Sequence, residues 1–289
     1  MKRIIPIIVI IIGFASCDKI DKPYRNVEKP PPFACDEPSF PLITASDVIQ
    51  KYLLEDYTGH KCNNCPKAHA AAAIIKSNLK DTLIMVAIHA QGFAKPDESP
   101  LGDCSATYSA DYRTEAGEMY SSSAGFNVIY YPSGMINRIG QKKWTSPAQW
   151  GLCFDTLTRK APTIGLQIIA DYNTEHNSAC VFVNTTLFSN TSANLRLCIL
   201  LTEDKIISPQ KDGSGNICDY EHNHVLRKAV NHPWGDYLSL SSDGESLIKS
   251  YSFSFDKTPW KKENCHLVAF VYDDNTKEII QVEEIKLIP

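Results

Sequence analysis

From residue 46 onward the apolar positions fall into two textures, which change over near Pro162. In the first, short apolar runs alternate with a helical pattern. Tyr52 to Tyr57 is a run of strand length, Pro66 to Leu79 is Ala-rich and of helical length, and Leu83 to His89 is again strand-like. This order predicts a parallel strand pair joined by a crossover helix. Gly92 to Ser109, with Pro96, Pro100 and two glycines, reads as a long loop. Thr114 to Ser123 reads as a helix. Asn127 to Tyr131 and Met135 to Ile139 read as short strands around Pro132-Ser133-Gly134, and Pro147 to Arg159 as a helix amphipathic through Trp150, Phe154 and Leu157.

Beyond Pro162 the period falls to two. Strands are expected at Thr163 to Asp171, Ala179 to Phe188, Leu195 to Glu203, Ile217 to Leu226, Leu247 to Phe255, His266 to Tyr272 and Glu278 to Leu287. Short strands with polar turns and no convincing helix predict an antiparallel sandwich of immunoglobulin-like kind. The expected division is an α/β domain over 46–160 and an all-β sandwich over 163–289, each with its own core.

The N-terminus has a different character. Lys2 and Arg3 precede an apolar run from Ile4 to Phe14 and the small residues Ala15 and Ser16, which reads as a secretory signal peptide over 1–16. The run is too short for a bilayer crossing of roughly 20 residues. Phe14-Ala15-Ser16-Cys17 resembles the lipobox of bacterial lipoproteins, in which the cysteine is acylated and becomes the mature N-terminus. Phe stands where that motif usually has Leu, and ordinary cleavage near Ser16 is the alternative. Residues 17–45 then read as a lipidated tether, with Pro30-Pro31-Pro32 favouring an extended spacer.

About 270 residues remain after the signal, enough for two domains, and a hydrophobic content of 43% supplies real cores. The net charge of −4 gives no reason to expect nucleic acid as a partner. An exported chain can form disulfides, and this one has ten cysteines. Setting aside Cys17, Cys62 and Cys65 leaves Cys35, Cys104, Cys153, Cys180, Cys198, Cys218 and Cys265. That number is odd, so at least one is free or bonded elsewhere. Cys180, Cys198 and Cys265 lie in apolar runs, as small buried hydrophobes do. Connectivity is not readable from spacing.

Candidate chemistry concentrates in Tyr57-Thr58-Gly59-His60-Lys61-Cys62-Asn63-Asn64-Cys65-Pro66. A Cys-x-x-Cys pair between a strand and a helix is the pattern of a thioredoxin-like redox site. There the helix N-terminus, Lys61 and a protonated His60 would favour a Cys62 thiolate. Cys62 is then the attacking sulfur, more accessible than Cys65, the resolving one. Such a site also needs a proline, usually cis, facing the pair, and Pro132 is the candidate. Cys104, in the long loop, is either an extra resolving thiol or a structural one. The bland alternative is a permanent Cys62–Cys65 staple in a scaffold that binds partners, with Trp234, Tyr237 and Trp260 as contact aromatics or as core. A copper or zinc reading of His60, Cys62, Cys65 and His69, or of His222 and His224 on one strand face with His232, is weaker; no metal site and no cofactor are expected.

Glu55-Asp56-Tyr57-Thr58-Gly59-His60 leading into the cysteine pair, Tyr131-Pro132-Ser133-Gly134 with Asn137-Arg138, and Tyr220 to Arg227 together resemble an outer-membrane lipoprotein family named for a 28-kilodalton outer membrane protein. The resemblance runs from about residue 45 to the end. It implies a lipid-anchored envelope protein at the outer membrane, thioredoxin-like and then β-sandwich, with protein thiols, disulfides or other envelope proteins as partners. It leaves the choice between exchange catalyst and binding scaffold open.

Overall fold

The computed structural model describes residues 34–140, 143–157, 161–213 and 215–289. The expected signal peptide, Cys17 and most of the tether lie outside the described residues. In chain order the strands are β1 (Tyr52–Thr58), β2 (Leu83–His89), β3 (Ser133–Ile136), β4 (Trp144–Thr145), β5 (Ile164–Asn173), β6 (Ser178–Leu187), β7 (Leu195–Glu203), β8 (Ile206–Asp212), β9 (Gly215–His222), β10 (Val225–Ala229), β11 (Asp236–Tyr237), β12 (Ser246–Ser254), β13 (Cys265–Asp273) and β14 (Ile279–Lys286). The helices are α1 (Cys65–Leu79), α2 (Gln91–Ala94), α3 (Glu115–Ser121) and α4 (Pro147–Thr156).

β1 and β2 pair in parallel across α1, as the apolar spacing predicts. The expectation of two separate cores fails, because one sheet runs through both textures in the order β14-β13-β7-β10-β2-β1-β3-β4. The join is β10, parallel to β2 at Val225 and antiparallel to β7. Side-chain alternation explains why the join is buried on both faces. Leu53 and Tyr57 of β1, Ile84, Val86 and Ile88 of β2, Cys198 and Leu200 of β7, and Val268, Phe270 and Tyr272 of β13 share a single core with Tyr120 of α3. The opposite face has two backings. Under β7 and β13 it packs on the separate sheet β12-β6-β5. Under β1 and β2 it packs on α1 and α4 through Ala68, Ala72, Trp150 and Phe154. The sandwich texture is therefore real, but its larger sheet also carries the β1–α1–β2 unit.

Near the centre of the shared core lies an ion pair. Arg138 donates to both oxygens of Glu55 at 2.8 and 2.7 Å. Its guanidinium stands about 5 Å from the rings of Tyr120, Phe126 and Phe270, and 5.5 Å from that of Tyr272. Burial alone would lower the Arg138 pKa; the charge and hydrogen bonds of Glu55 outweigh it and hold the group above its ordinary value. Asn137, beside it, bridges the halves by backbone bonds to Leu53 and Ile279.

Other differences from the sequence reading have local causes. Asn127 to Tyr131 is not a strand, since Asn127 is left-handed (φ 49°) and the segment folds back on Tyr120 to Ser122. The expected strand Ile217 to Leu226 breaks after His222, where His224 turns through φ 57°. β8 escaped notice because Pro209, which has no N–H, interrupts it and shifts its register with β9. The last part of the expected tether is fastened to the body, Cys35 to Cys180 by a disulfide and Pro41 O to Gln167.

Candidate functional site

Cys62 and Cys65 form a disulfide where the chain leaves β1 and enters α1. Pro66 occupies the first helical turn, where its missing N–H goes unnoticed. Gly59 is required sterically, because a Cβ there would lie 2.5 Å from the Phe93 carbonyl carbon. That close approach lets Lys61 N donate to Phe93 O at 3.0 Å. The Tyr131–Pro132 peptide bond is cis. A cleft of about 490 Å³ beside the pair is lined by Asn64, Lys67 and Ala71 of the helix side and by Tyr130, Tyr131 and Pro132 opposite. Ile129, next to it, is exposed.

The structure differs from the expected exposure of Cys62. Cys62 is 2% and Cys65 0% exposed. Part of the cover is the β8–β9 hairpin, which belongs to neither large sheet. Its residues take four carbonyls of the motif. Gln210 Nε2 donates to Gly59 O (3.3 Å) and Cys62 O (3.1 Å), Lys211 N to His60 O (2.7 Å), and Gly213 N to Asn63 O (3.3 Å).

Beneath the hairpin, on the α1 side of the sheet, is a group of buried titratable side chains. His69 stands one helical turn beyond Cys65. Its Nε2 is 2.9 Å from Thr58 Oγ1 and 3.4 Å from Asp56 Oδ2, and its Nδ1 is 2.6 Å from the Tyr220 hydroxyl. Burial pushes Asp56 up to about 8 and brings His69 down to about 4, favouring the uncharged form of each. Asp56 Oδ1 has no hydrogen-bond partner. Burial also lowers His222 to about 3 and His89 well below its usual range. The two rings are 5.7 Å apart, and both contact Tyr112. His222 lies near the Ser208 and Pro209 carbonyls without a bond of normal geometry.

His60 does not supply the cation expected of it. It is buried, stacks on Tyr108 at 5.0 Å and approaches Lys95 O, and desolvation lowers its pKa. Cys104 is no free resolving thiol, being paired with Cys218, and Cys180 is paired with Cys35. Cys153, Cys198 and Cys265 remain free, the latter two pushed up to about 12 by burial. His222 and His224 do not share a face, for His222 ends β9 inside the core while His224 sits in the turn against Asp204. Among the described residues no group of three or more His, Cys, Asp or Glu side chains is placed to hold a metal ion. Trp234 packs on Tyr120 and Phe126, and Trp260 on Phe255, whereas Tyr237 is exposed under Arg196.

Asp56 and Gln210 escaped the sequence reading. For Asp56 a signal existed: two carboxylates, Glu55 and Asp56, interrupt an otherwise apolar strand. For Gln210 there was none, since it belongs to the overlooked strand.

Comparison with known proteins places the chain. The model of the family described as outer membrane protein Omp28 matches residues 120–288, more than half of the sequence. The chain belongs to the Omp28 family. Membership puts it at the outer membrane, in a family of lipoproteins. No helix among the described residues is long and apolar enough to cross a membrane. The match spans Pro132 and the covering hairpin but stops short of the cysteine pair. Among solved structures, HBP35 of Porphyromonas gingivalis has a similar fold at TM-score 0.63 and 14% identity, over 83% of this chain and 76% of that one. A domain of the outer membrane lipoprotein Omp28 from Porphyromonas gingivalis is 26% identical over 46% of this chain and 93% of its own, at TM-score 0.32. A protein of Agrobacterium tumefaciens is 11% identical over 83% and 96%, at 0.47. Neither of these two superposes closely enough to carry an argument. No curated protein matches the chain.

Proposed function

We propose that this Omp28-family protein, anchored by acylated Cys17, exchanges thiols and disulfides with exported proteins through a thioredoxin-like N-terminal unit. The observation that carries the reading is the Cys62–Cys65 disulfide at the entry of α1, beside a cleft whose other wall holds Pro132. In the oxidising direction a substrate thiolate attacks Cys62 Sγ, and Cys65 leaves as a thiolate. A second substrate thiolate then attacks the mixed disulfide and releases Cys62, so two electrons pass from substrate to the pair. In the reducing direction Cys62 attacks and Cys65 resolves. Asp56, on the α1 side of the sheet, lies 3.4 Å from His69, one turn past Cys65 in the same helix.

The experiment is a trap combined with a titration. Cys65→Ser should accumulate mixed disulfides with envelope proteins, and Cys62→Ser should not. The alkylation rate of reduced Cys62 should report a pKa below the ordinary thiol value of about 8.5. A pKa at or above that value, with nothing trapped, would contradict exchange. One observation favours a second reading, a non-catalytic binding lipoprotein with a structural staple: both sulfurs are buried and their loop carbonyls are bonded to the hairpin. The same experiment separates the two.

A further inference from the structure

The β8–β9 hairpin is a two-stranded ribbon with no third strand, an arrangement of marginal stability by itself. What holds it down lies at both of its edges. One edge donates to the motif carbonyls of Gly59, His60, Cys62 and Asn63. The other is tied to the loop between α2 and α3. On β9, Asn216 donates to Asp103 from N (2.9 Å) and Nδ2 (2.6 Å) and Tyr108 donates to Asn216 Oδ1, while Tyr112 of the same loop reaches across to donate to Ser208 Oγ of β8 at 2.8 Å. The Cys104–Cys218 disulfide fixes this second edge covalently. Its two cysteines are half-buried, whereas Cys62 and Cys65 are almost wholly enclosed. A thiol arriving from solvent therefore meets Cys104–Cys218 first.

We propose that Cys104–Cys218 is a second redox site of this chain, one that accepts electrons from a dithiol and thereby releases the hairpin from the Cys62–Cys65 disulfide. One thiolate of the incoming dithiol attacks a sulfur of the Cys104–Cys218 bond, and the other cysteine leaves as a thiolate and takes a proton from water. The second thiol of the dithiol, deprotonated, then attacks the mixed disulfide, closing its own disulfide and releasing the second cysteine. Two electrons have moved from the dithiol to Cys104 and Cys218. The loop and the hairpin are then joined by the hydrogen bonds of Asn216, Tyr108 and Tyr112 and by the Tyr112–His222 ring contact, and the Asn216–Asp103 bonds lie at the surface, where opening needs least free energy. The hairpin is then held at the motif by the bonds of Gln210, Lys211 and Gly213 and by Tyr220 on His69, and with one edge loose these yield together to admit a thiol to Cys62. The inference goes beyond the proposed exchange activity, since access to the buried disulfide is a property of the chain whether or not proteins are its substrates.

The test is timed reduction of the oxidised protein by dithiothreitol, quenched by alkylation, with each cysteine's labelling followed by mass spectrometry. In the wild-type chain Cys104 and Cys218 should be labelled before Cys62 and Cys65. In the Cys104→Ser/Cys218→Ser variant, reduction of Cys62–Cys65 should be about tenfold faster or more, with the reduction rate of Cys35–Cys180 unchanged as an internal reference. Labelling of Cys62 and Cys65 first in the wild type, or an unchanged rate for them in the variant, would overturn the proposal. The order in the wild type decides the matter even if the double variant fails to fold. Loss of protein-substrate trapping with this order intact would remove the exchange reading and leave the second redox site standing.

Discussion

Glu55 and Asp56 are neighbours on β1, and strand alternation sends them to opposite faces of the same sheet. Both are buried, yet their surroundings differ. Glu55 meets the Arg138 guanidinium inside a cage of four aromatic rings. Asp56 meets only a neutral imidazole, and one of its oxygens has no partner. Glu55 is paired with a guanidinium that stacks on rings from both parts of the chain, Tyr120 and Phe126 from one and Phe270 and Tyr272 from the other. Asp56, on the α1 side of the sheet, is a carboxyl whose pKa desolvation raises to about 8. A buried carboxyl with a cation beside it is fixed by that partner, while one without a cation has its pKa raised by desolvation.

The largest expected effect comes from breaking the paired side. Arg138→Met leaves Glu55 as an uncompensated buried charge and should cost about 3–5 kcal/mol in denaturant unfolding. Adding Glu55→Gln should recover part of that loss. Equal loss in single and double variants would mean that the cage, rather than the pairing, supplies the stability.

On the unpaired side the effect depends on pH. Asp56 has a folded pKa of about 8, above its unfolded value, so the folded chain binds the proton that the unfolded chain releases. Its stabilising contribution is complete below pH 4 and is lost as pH rises through about 8. Asp56→Asn should remove that decline and be more stable than the wild type at pH 8 by about 2–5 kcal/mol. Parallel stability profiles for the two proteins would show that Asp56 is ionised throughout.

The neighbouring histidines act in the opposite direction. His222 has a folded pKa of about 3, so its contribution is present above about pH 6.5 and is lost as pH falls. His222→Gln should narrow the stability difference between pH 7 and pH 5 by about 2 kcal/mol. The smallest effect belongs to a charge pair facing water. Removing the exposed Arg113–Asp111 contact with Arg113→Ala should change stability by less than about 1 kcal/mol.

The contrast between the two carboxylates also marks how far the sequence could be read. Local features were legible: the β1–α1–β2 order, the cysteine pair at the strand-to-helix junction, and period-two strands beyond Pro162 follow from spacing alone. The shared sheet was not legible, because Val225 pairs with Ala87 across 138 residues of chain and nothing local announces it. The hairpin was hidden by Pro209, and with it the cover over Cys62. The different fates of Glu55 and Asp56 depend on Arg138 and His69, which arrive from a later turn and from α1, so that two like residues side by side could not be told apart.

The raised pKa of buried Asp56 can be followed directly through its carboxyl carbon, by carbon-detected NMR of labelled oxidised protein against pH. The resonance should titrate near pH 8 and move when Cys62–Cys65 is reduced. A midpoint near the ordinary aspartate value of about 3.9, unaffected by reduction, would show that Asp56 is ionised at neutral pH and independent of the disulfide.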